Sequence, residues 1–557
     1  MGHTPTGLGD GRGRIEPAGR GVARGGASGA VLCGLCVAAV HPRASLGERS
    51  APRHRAGAYR DPPARAQLAA GAGQGSGPGF GAARAGYGCK GKRYLATVTS
   101  ASAATKSRGL ELSYERLNRN IVELALPAVA ENLLTSLVFF ADGFLIGWLH
   151  DAHALAAVGL SSTLLNTLQA VFQAVAVSAT SMVAQLYGAR QEDRAARVAG
   201  QATGLSLAAA LAASALAWSL APRYFSLMGA SPETARLGTL YIRLVLLTSF
   251  AGYPMSVIGG VMRGAGDTRT PMYITGLMNL WNVAAAAALI FGIGPLPALG
   301  VAGAGLATAS ARLLGGTLSF TVLVRGRSLI RVSPRHLLRW DGGVVRRIVR
   351  LSLPTAGEAA IRQTGSLLFM RIVAALGDVA LAAHQIALNL ESLSFMPGSG
   401  MSVAGTTLVG QSLGADKPEL ARKSVGRTIA FGAAIMGAIG VLFALFGPGV
   451  AALFGATPAV VAAAGSAIRI GALEQIPLAI MMTLSGCLRG AGDMKSPMYA
   501  TLAGVVLFRV PVVYLFSIVF GWGLNGVWLG TALDFTGRAL LLYALYRRGA
   551  WAKLRLA

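Results

Sequence analysis

The sequence is poor in charge and poorest in acid. Its 557 residues include 23 Asp and Glu against 50 Lys and Arg, and charged residues make up 13% of the chain. Soluble domains usually carry about 25% charged residues, so this composition argues against a soluble globular protein. Hydrophobic residues make up 53% of the chain, which favours a protein that folds in the lipid bilayer.

Cysteine is scarce too, and so are the signatures of enzymes. The 4 cysteines do not indicate a disulfide framework, and Cys33 and Cys36 form a C-x-x-C without the strand–helix context of a redox site. The sequence has no nucleophile elbow, nucleotide-binding loop or cluster of metal ligands. We therefore predict no enzymatic activity, no metal and no cofactor. A membrane enzyme or scaffold is the alternative from another class.

The excess of positive charge is distributed in a way that argues against a nucleic-acid partner. Residues 1–100 hold 14 Lys and Arg with 4 Asp and Glu, and most other basic residues lie in short gaps between apolar runs. Residues 1–115 lack a periodic apolar pattern and are predicted to be a disordered or targeting extension. That extension could hold a signal peptide around 30–40, or be an Arg-rich transit peptide or a mistranslated upstream region.

Long apolar runs follow from residue 121 onward. About 20 apolar residues span a bilayer as a helix, and each run is long enough. Gly and Ala are dense within the runs, as close packing of membrane helices favours. The runs are 121–149, 153–186, 196–221, 235–262, 271–294, 300–324, 348–376, 380–412, 424–447, 460–488, 497–520 and 525–546. We predict an all-α membrane protein with twelve transmembrane helices.

The basic residues orient these crossings. Gaps after even-numbered runs carry Arg and Lys, from Arg190 to Lys495, whereas gaps after odd-numbered runs carry almost none. The positive-inside rule then puts both termini in the cytoplasm. The runs divide the chain into an N-lobe at 116–325, a cytoplasmic linker at 326–347 and a C-lobe at 348–557.

One string occurs twice in the chain. "VMRGAGDTRTPMY" begins at Val261 and "CLRGAGDMKSPMY" begins at Cys487, 226 positions later. "AQLYGA" from Ala184 and "GQSLGA" from Gly410 keep the same offset. Because six crossings are an even number, two six-helix repeats enter the membrane from the same side and are parallel, an architecture of secondary transporters. The RGAGD strings are predicted to be turns whose Arg and Asp clamp helix ends, and not phosphate-binding loops.

These motifs resemble the multidrug and toxic compound extrusion (MATE) family over nearly everything after residue 115. The resemblance implies the MATE fold and cation-coupled export of organic, often cationic, compounds from the cytoplasm. The first-helix Asp and the block "HQIALNLESLSFMP" are most similar to the branch named for DNA-damage-inducible protein F. The strings that carry the resemblance are "LPAVAENLLTSLVFFADGFLIGWL" from Leu126, "SATSMVAQLYGA" from Ser178, both RGAGD strings, "GVAGAGLATASAR" from Gly300, and "AAHQIALNLESLSFMPGSGMSVAGTTLVGQSLGA" from Ala382.

Acidic residues inside the apolar runs are the candidates for ion coupling. Glu131 and Glu358 occupy equivalent places in the two repeats, which indicates shared architecture. Asp142 corresponds to Phe369, so it breaks the symmetry, and we predict a functional role for it. The six acids are Glu131, Asp142, Glu358, Glu391, Glu474 and Asp534.

The family resemblance extends the coupling site around Asp142. It implies that Asn282 in the fifth run and Thr308 in the sixth act with Asp142, and that Pro127 is a hinge because it lacks a backbone N–H. The family's fifth-helix Asp is Ala286 here, so one acid with neutral ligands suits a proton better than sodium.

The C-lobe offers a second group of polar residues. Glu391, Glu474 and Asp534 could bind a cationic substrate, or they could pair with the arginines of that lobe. The family's alternative sodium site uses a seventh-helix Glu, and Arg362 stands in its place.

The predicted function is therefore an antiporter that exchanges small organic compounds for protons. Sodium-coupled MATE efflux is one alternative. A flippase for lipid-linked saccharides, which should have a strongly cationic cavity, is another. The expected partners are the substrate and the bilayer, and the expected state is a monomer. The expected location is the plasma membrane, or an organelle membrane if residues 1–100 are a transit peptide.

Overall fold

The predicted apolar runs all fold as helices. The computed structural model describes residues 110–293 and 297–556, and no strand occurs among them. The first half consists of α1 (Leu117–Gly147), α2 (Ala152–Gly188), α3 (Glu192–Leu227), α4 (Pro232–Leu246), α5 (Ser249–Ala265), α6 (Arg269–Phe291) and α7 (Val301–Arg325). A short helix, α8 (Pro334–Leu338), lies between the halves. The predictions made for residues 1–109 lie outside the described residues.

The second half repeats the pattern of the first with more irregular helices. It consists of α9 (Gly342–Ala374), α10 (Asp378–Gly414), α11 (Pro418–Ala452), α12 (Pro458–Gly471), α13 (Gln475–Gly490), α14 (Lys495–Ala503), α15 (Val510–Tyr514) and α16 (Gly523–Arg547). π-helical segments at Gly504–Arg509 and Leu515–Val519 follow α14 and α15, so the eleventh run is one stretch of alternating α and π turns.

The fourth helix of each half is broken. In the first half, α4 and α5 meet at an angle of 59°. In the second half, a 3-10 turn at Ala472–Glu474 separates α12 from α13. The sequence did not predict these breaks, although each of the two runs is long and apolar enough to cross a membrane as one span. The break of the second half places Glu474 in the bundle interior, where it is fully buried.

Most of the helices can cross a membrane by length and composition. Eight spans of the described part meet this test, and the bent pair α4 and α5 raises the number to nine. Three further helices, α9, α10 and α16, have 33, 37 and 25 residues but are not among the nine. These three carry the buried acids Glu358, Glu391 and Asp534. Charged side chains in membrane helices face the interior of the bundle. Their charge lowers the mean hydropathy of the helix that holds them, so a helix can cross the membrane without meeting the test.

The repeat is visible in the side-chain contacts. The first-half arginine Arg263 donates to both oxygens of Glu131 at 3.1 Å, and Arg489 donates to both oxygens of Glu358 at 2.7 and 2.8 Å. The turn aspartates, including Asp267, accept a backbone N–H from the first turn of the following helix at 3.0 Å. The prediction that the RGAGD strings clamp helix ends is confirmed for the Asp. It is wrong for the Arg, which pairs with a glutamate in the interior of a helix in each half.

Candidate cavity and ion-coupling sites

The two RGAGD turns lie at the same end of the bundle, here called the RGAGD face. At this face each half donates a glutamine amide to the turn of the other half. Gln185 of α2 donates to the carbonyl of Ala491 at 2.9 Å, and Gln411 of α10 donates to the carbonyl of Gly264 at 3.0 Å. Gln185 and Gln411 are themselves 226 positions apart, so the pair of hydrogen bonds follows the repeat.

Glycine permits the close approach of α2 and α10 at this face. A Cβ at Gly188 would overlap the backbone of Gln411, and a Cβ at Gly414 would overlap the backbone of Gln185. Thr407 adds a hydrogen bond from α10 to the carbonyl of Arg263 at 2.8 Å. Among the described residues, every side-chain hydrogen bond that a helix of one half donates to a backbone carbonyl in a helix of the other half ends on an RGAGD string. The halves are therefore joined at the RGAGD face.

Residues that flank the bundle cover both RGAGD turns. Leu110 packs against Gly266, and Leu556 packs against Gly492. A Cβ added to either glycine would lie about 3 Å from the side chain of that leucine. The backbone N–H of Leu556 donates to Oε1 of Gln185 at 2.7 Å. Both ends of the described chain thus lie at the RGAGD face.

A cavity of about 520 Å³ lies between the halves, above the joined end. Helices α1, α2, α5, α6 and α7 of the first half line most of it, and the second half contributes Ser399, Ser402, Val403 and Thr406 of α10 and Arg489 of α13. Its polar groups are mainly amides and hydroxyls, including Asn132, Thr135, Asn166, Gln169, Gln173 and Ser256. A cavity of this size and lining suits one small organic molecule.

A larger depression of about 1410 Å³ opens on the RGAGD face itself. Two ion pairs line it, Arg116 with Glu111 at 3.0 Å and Arg119 with Glu123 at 2.7 Å. Its other basic residues, Arg190, Arg269, Arg327 and Lys417, form no ion pair among the described residues.

The charges in the cavity are positive in excess. Arg263, Arg312 and Arg489 line it together with Glu131. Arg263 is neutralised by Glu131 and Arg489 by Glu358. Among the described residues Arg312 forms no ion pair.

The three predicted coupling residues of the first half lie around one buried cluster. They are Asp142 of α1, Asn282 of α6 and Thr308 of α7. Each lies within four positions along the chain of a member of one buried apolar cluster, which includes Leu145, Ile146, Ala286, Ile290, Ala304 and Ala307. The carboxylate of Asp142 is half-buried and has no hydrogen-bond or charge partner among the described residues. Asn282 is buried, and its Oδ1 is also without a partner there. Pro127 lies inside α1, which continues through it.

The acids of the second half fall into two environments. Asp534 of α16 is fully buried between Arg509 and Arg538, whose Nε atoms lie 2.8 and 2.6 Å from its two oxygens. Glu391 of α10 and Glu474 lie next to each other. Neither oxygen of Glu474 has a hydrogen-bond donor among the described residues. Two neighbouring carboxylates repel each other, so this pair needs a proton or another cation to hold it together.

Sequence reasoning missed several residues of these sites. Tyr241 of α4 is buried, interacts through its hydroxyl with Thr308 and lies near Asp142. Arg312 was not among the predicted site residues, because the sequence around a single arginine in an apolar run does not show whether an acid pairs with it. Gln185 and Gln411 could have been found, since both lie in the repeated strings "AQLYGA" and "GQSLGA".

The fold and the cavity define a class of protein. Two repeated sets of membrane helices enclose a polar cavity and are joined at one face, as in a secondary transporter. The MatE family model matches residues 127–288 and again 354–515. The chain belongs to the multidrug and toxic compound extrusion (MATE) family, whose members are transporters and not enzymes.

Curated relatives and solved structures agree with this membership. The chain is similar to the probable multidrug resistance protein NorM of Thermotoga maritima, with 32% identity over 78% of this chain and 94% of that protein. It is similar to the multidrug resistance protein PmpM of Pseudomonas aeruginosa, with 30% identity over 80% of this chain and 94% of that protein. A multidrug resistance MATE family transporter in its outward-facing conformation has the same fold, with a TM-score of 0.73, 24% identity and coverage of 79% of this chain and 97% of that one.

Proposed function

We propose that this transporter exports organic compounds, cationic ones in particular, from the cytoplasm in exchange for protons. One observation carries the proposal: of the six acids inside the bundle, three have an arginine partner and three have none among the described residues. Glu131, Glu358 and Asp534 each form an ion pair, whereas Asp142, Glu391 and Glu474 form none among the described residues. Unpaired acids inside a membrane bundle mark ion pathways.

The proton is favoured over sodium by the ligands that surround these acids. Asp142 has Ala286 in place of a second acid on α6, and the nearby candidates Asn282 and Thr308 are neutral. Glu391 and Glu474 lie side by side, which suits a shared proton. We assign coupling to Asp142 first and to the Glu391–Glu474 pair second. A cationic substrate competes for the same acids, which would couple its release to proton binding.

The orientation follows from the charge distribution. We propose that the RGAGD face is cytoplasmic, because the basic gaps of the sequence lie at that end. The halves are joined there, and we propose on this ground that the cavity of this conformation opens to the outside. We further propose a monomer in the plasma membrane, or in an organelle membrane if residues 1–100 are a transit peptide. Asp142 supports the branch named for DNA-damage-inducible protein F, although the relatives carry NorM and related names.

The test separates the two acid sites and the two ions. The purified protein is reconstituted into liposomes that are loaded with a fluorescent organic cation. A proton gradient and a sodium gradient are then imposed across the liposome membrane in turn. We expect export with the proton gradient alone. Asp142→Asn should fold and insert but lose that export, because Asn keeps the volume and hydrogen bonds of Asp but cannot titrate. Asn282→Ala and Thr308→Ala should weaken export less.

Each contrary result points to a specific alternative. Export by Asp142→Asn at the wild-type rate, with loss of export in Glu474→Gln, would move coupling to the Glu391–Glu474 pair. Export driven by sodium alone would replace the proton with sodium.

A further inference from the structure

We propose that Arg312 is a specificity-determining residue of the cavity, which binds a carboxylate of an organic substrate and so distinguishes a zwitterion from its ester. The inference rests on the proposed export function, because it assigns a contact with the substrate in the same cavity. It concerns a residue outside the coupling sites described above.

Arg312 is a charged residue near the middle of a membrane helix. It lies about halfway along the 25-residue helix α7 and lines the cavity between the halves. A guanidinium at this depth is costly unless it pairs with an acid or meets a ligand or water, so such residues are functional candidates by default. Arg312 is half-buried, which leaves it in contact with the cavity.

No acid of the described chain neutralises Arg312. The other two arginines of the cavity, Arg263 and Arg489, are each bound by a glutamate. The paired arginines of the second half, Arg509 and Arg538, both meet Asp534. Arg312 differs from all four, and the centre of the cavity therefore carries a positive charge that a bound anionic group would balance.

The surroundings hold Arg312 in one position. Its stem lies against Gly252, where an added Cβ would come within 3.1 Å of Cβ and Cδ of Arg312. Its guanidinium lies over the ring of Tyr253 at 5.7 Å from the centroid, and Tyr253 stacks on Phe172 at 4.4 Å and 7°. The side chain is thus ordered before any ligand arrives, which reduces the entropic cost of binding.

The chemistry around Arg312 fits a carboxylate on an organic body. A guanidinium binds a carboxylate through two parallel hydrogen bonds. Met255, Met262 and Met278 also line the cavity, and methionine adapts to apolar ligands of different shape. The amides of Gln169 and Gln173 can solvate the rest of a zwitterion. A single unpaired arginine suits one anionic group, which argues against a strongly cationic flippase cavity.

A matched pair of dyes tests the inference by binding alone. The probes are a rhodamine with a free benzoate and the ethyl ester of the same rhodamine, which differ only in the carboxylate. Fluorescence anisotropy gives their affinities for the purified full chain in nanodiscs. Arg312→Gln should weaken binding of the free acid roughly ten- to hundredfold, the loss of one charge-assisted hydrogen-bond pair. Binding of the ester should change less than about twofold.

Arg243→Gln is the matched control. Arg243 also stacks on an aromatic ring, that of Trp218 at 5.4 Å, but it does not line the cavity. This variant should bind both dyes like the wild type. Arg312→Lys should keep part of the preference for the acid, because it keeps the charge without the planar fork. Ester binding by Arg312→Gln shows that the variant is folded.

Three results would overturn the inference. One is equal loss of acid and ester binding in Arg312→Gln, and another is an unchanged affinity for the acid. The third is Arg312-dependent binding of an isoprenyl phosphate without binding of the acid, which would indicate a lipid-linked substrate. Proton-driven export of the ester with no role for Arg312 would refute only the inference. Arg312-dependent binding of the acid without proton-driven export of either dye would refute only the proposed function.

Discussion

At the scale of single residues, arginine decides which acids inside the bundle are available for transport. Asp534 shows this most clearly, since both of its oxygens are taken by guanidinium groups and its side chain is fully buried. Such a group is held in place by its partners. Asp142 and Glu474 lack these partners among the described residues, and they are therefore the acids that can exchange protons.

Replacing Asp534 by asparagine should destabilise the protein severely. Asp534→Asn leaves Arg509 and Arg538 buried without an opposite charge, which typically costs about 3–5 kcal/mol of the free energy of unfolding. Thermal unfolding of the purified protein in detergent measures the effect. Glu233→Gln is the control, because its pair with Arg236 is exposed and should contribute nothing measurable.

A rescue experiment separates charge from packing at this site. Adding Arg509→Gln and Arg538→Gln to Asp534→Asn removes the uncompensated charges and should restore part of the lost stability. If Asp534→Asn alone melts like the wild type, the two arginines do not depend on this acid.

At the scale of elements, a hydrogen bond links α1, near its proline Pro127, to the segment beside the first RGAGD turn. Pro127 has no N–H to donate to the carbonyl of Glu123, four residues earlier. The hydroxyl of Thr268, next to the RGAGD turn, donates to that carbonyl at 3.3 Å instead. The helix thus stays unbroken at Pro127 while one of its carbonyls is held by a neighbouring segment, which makes this the place where α1 can bend.

Removing the proline should slow transport without unfolding the protein. Pro127→Ala restores the internal hydrogen bond of α1 and stiffens it, so we expect a lower export rate with unchanged or higher thermal stability. Pro222→Ala is the control, since Pro222 lies exposed in α3. Export by Pro127→Ala at the wild-type rate would contradict a hinge at this position.

At the scale of the whole molecule, the repeat produces a symmetric closure between the halves. Each half supplies a glutamine, a glycine contact and an RGAGD turn, and each receives the same from the other. Because these contacts lie at one end of the cavity, alternating access requires that they break together. The equilibrium between the two conformations should then respond to any change that pushes α2 and α10 apart.

Gly414→Ala should open the RGAGD face. The added Cβ would overlap the backbone of Gln185, and neither backbone can yield without separating the helices. Opening is measured by maleimide labelling of Thr407→Cys in a background without the native cysteines, because Thr407 is buried in the joined conformation. We expect faster labelling from the RGAGD side. Gly426→Ala, whose Cβ meets nothing within 4 Å, should label like the parent, and equal rates for both variants would contradict the closure.

The sequence by itself determined the helices and their repetition. Hydropathy is a local property, and about 20 apolar residues must form a helix in a membrane to satisfy their backbone groups. Every predicted run is helical in the described residues, although the fourth helix of each half is broken. The repeat also identified Glu131 and Glu358, 227 positions apart, as shared architecture, and the structure gives each an equivalent arginine partner, Arg263 and Arg489.

Only the tertiary structure decided which polar residues meet. Arg489 reaches Glu358 across 131 positions and Gln185 reaches Ala491 across 306, and no local pattern encodes either distance. Asp534 and Glu474 look alike in sequence, but one lies between two guanidinium groups and the other beside a second carboxyl group. Arg312 is one arginine among several until packing shows that it faces the cavity without an acid. Charge pairing depends on the arrangement of helices in space, and composition and spacing along the chain do not specify it.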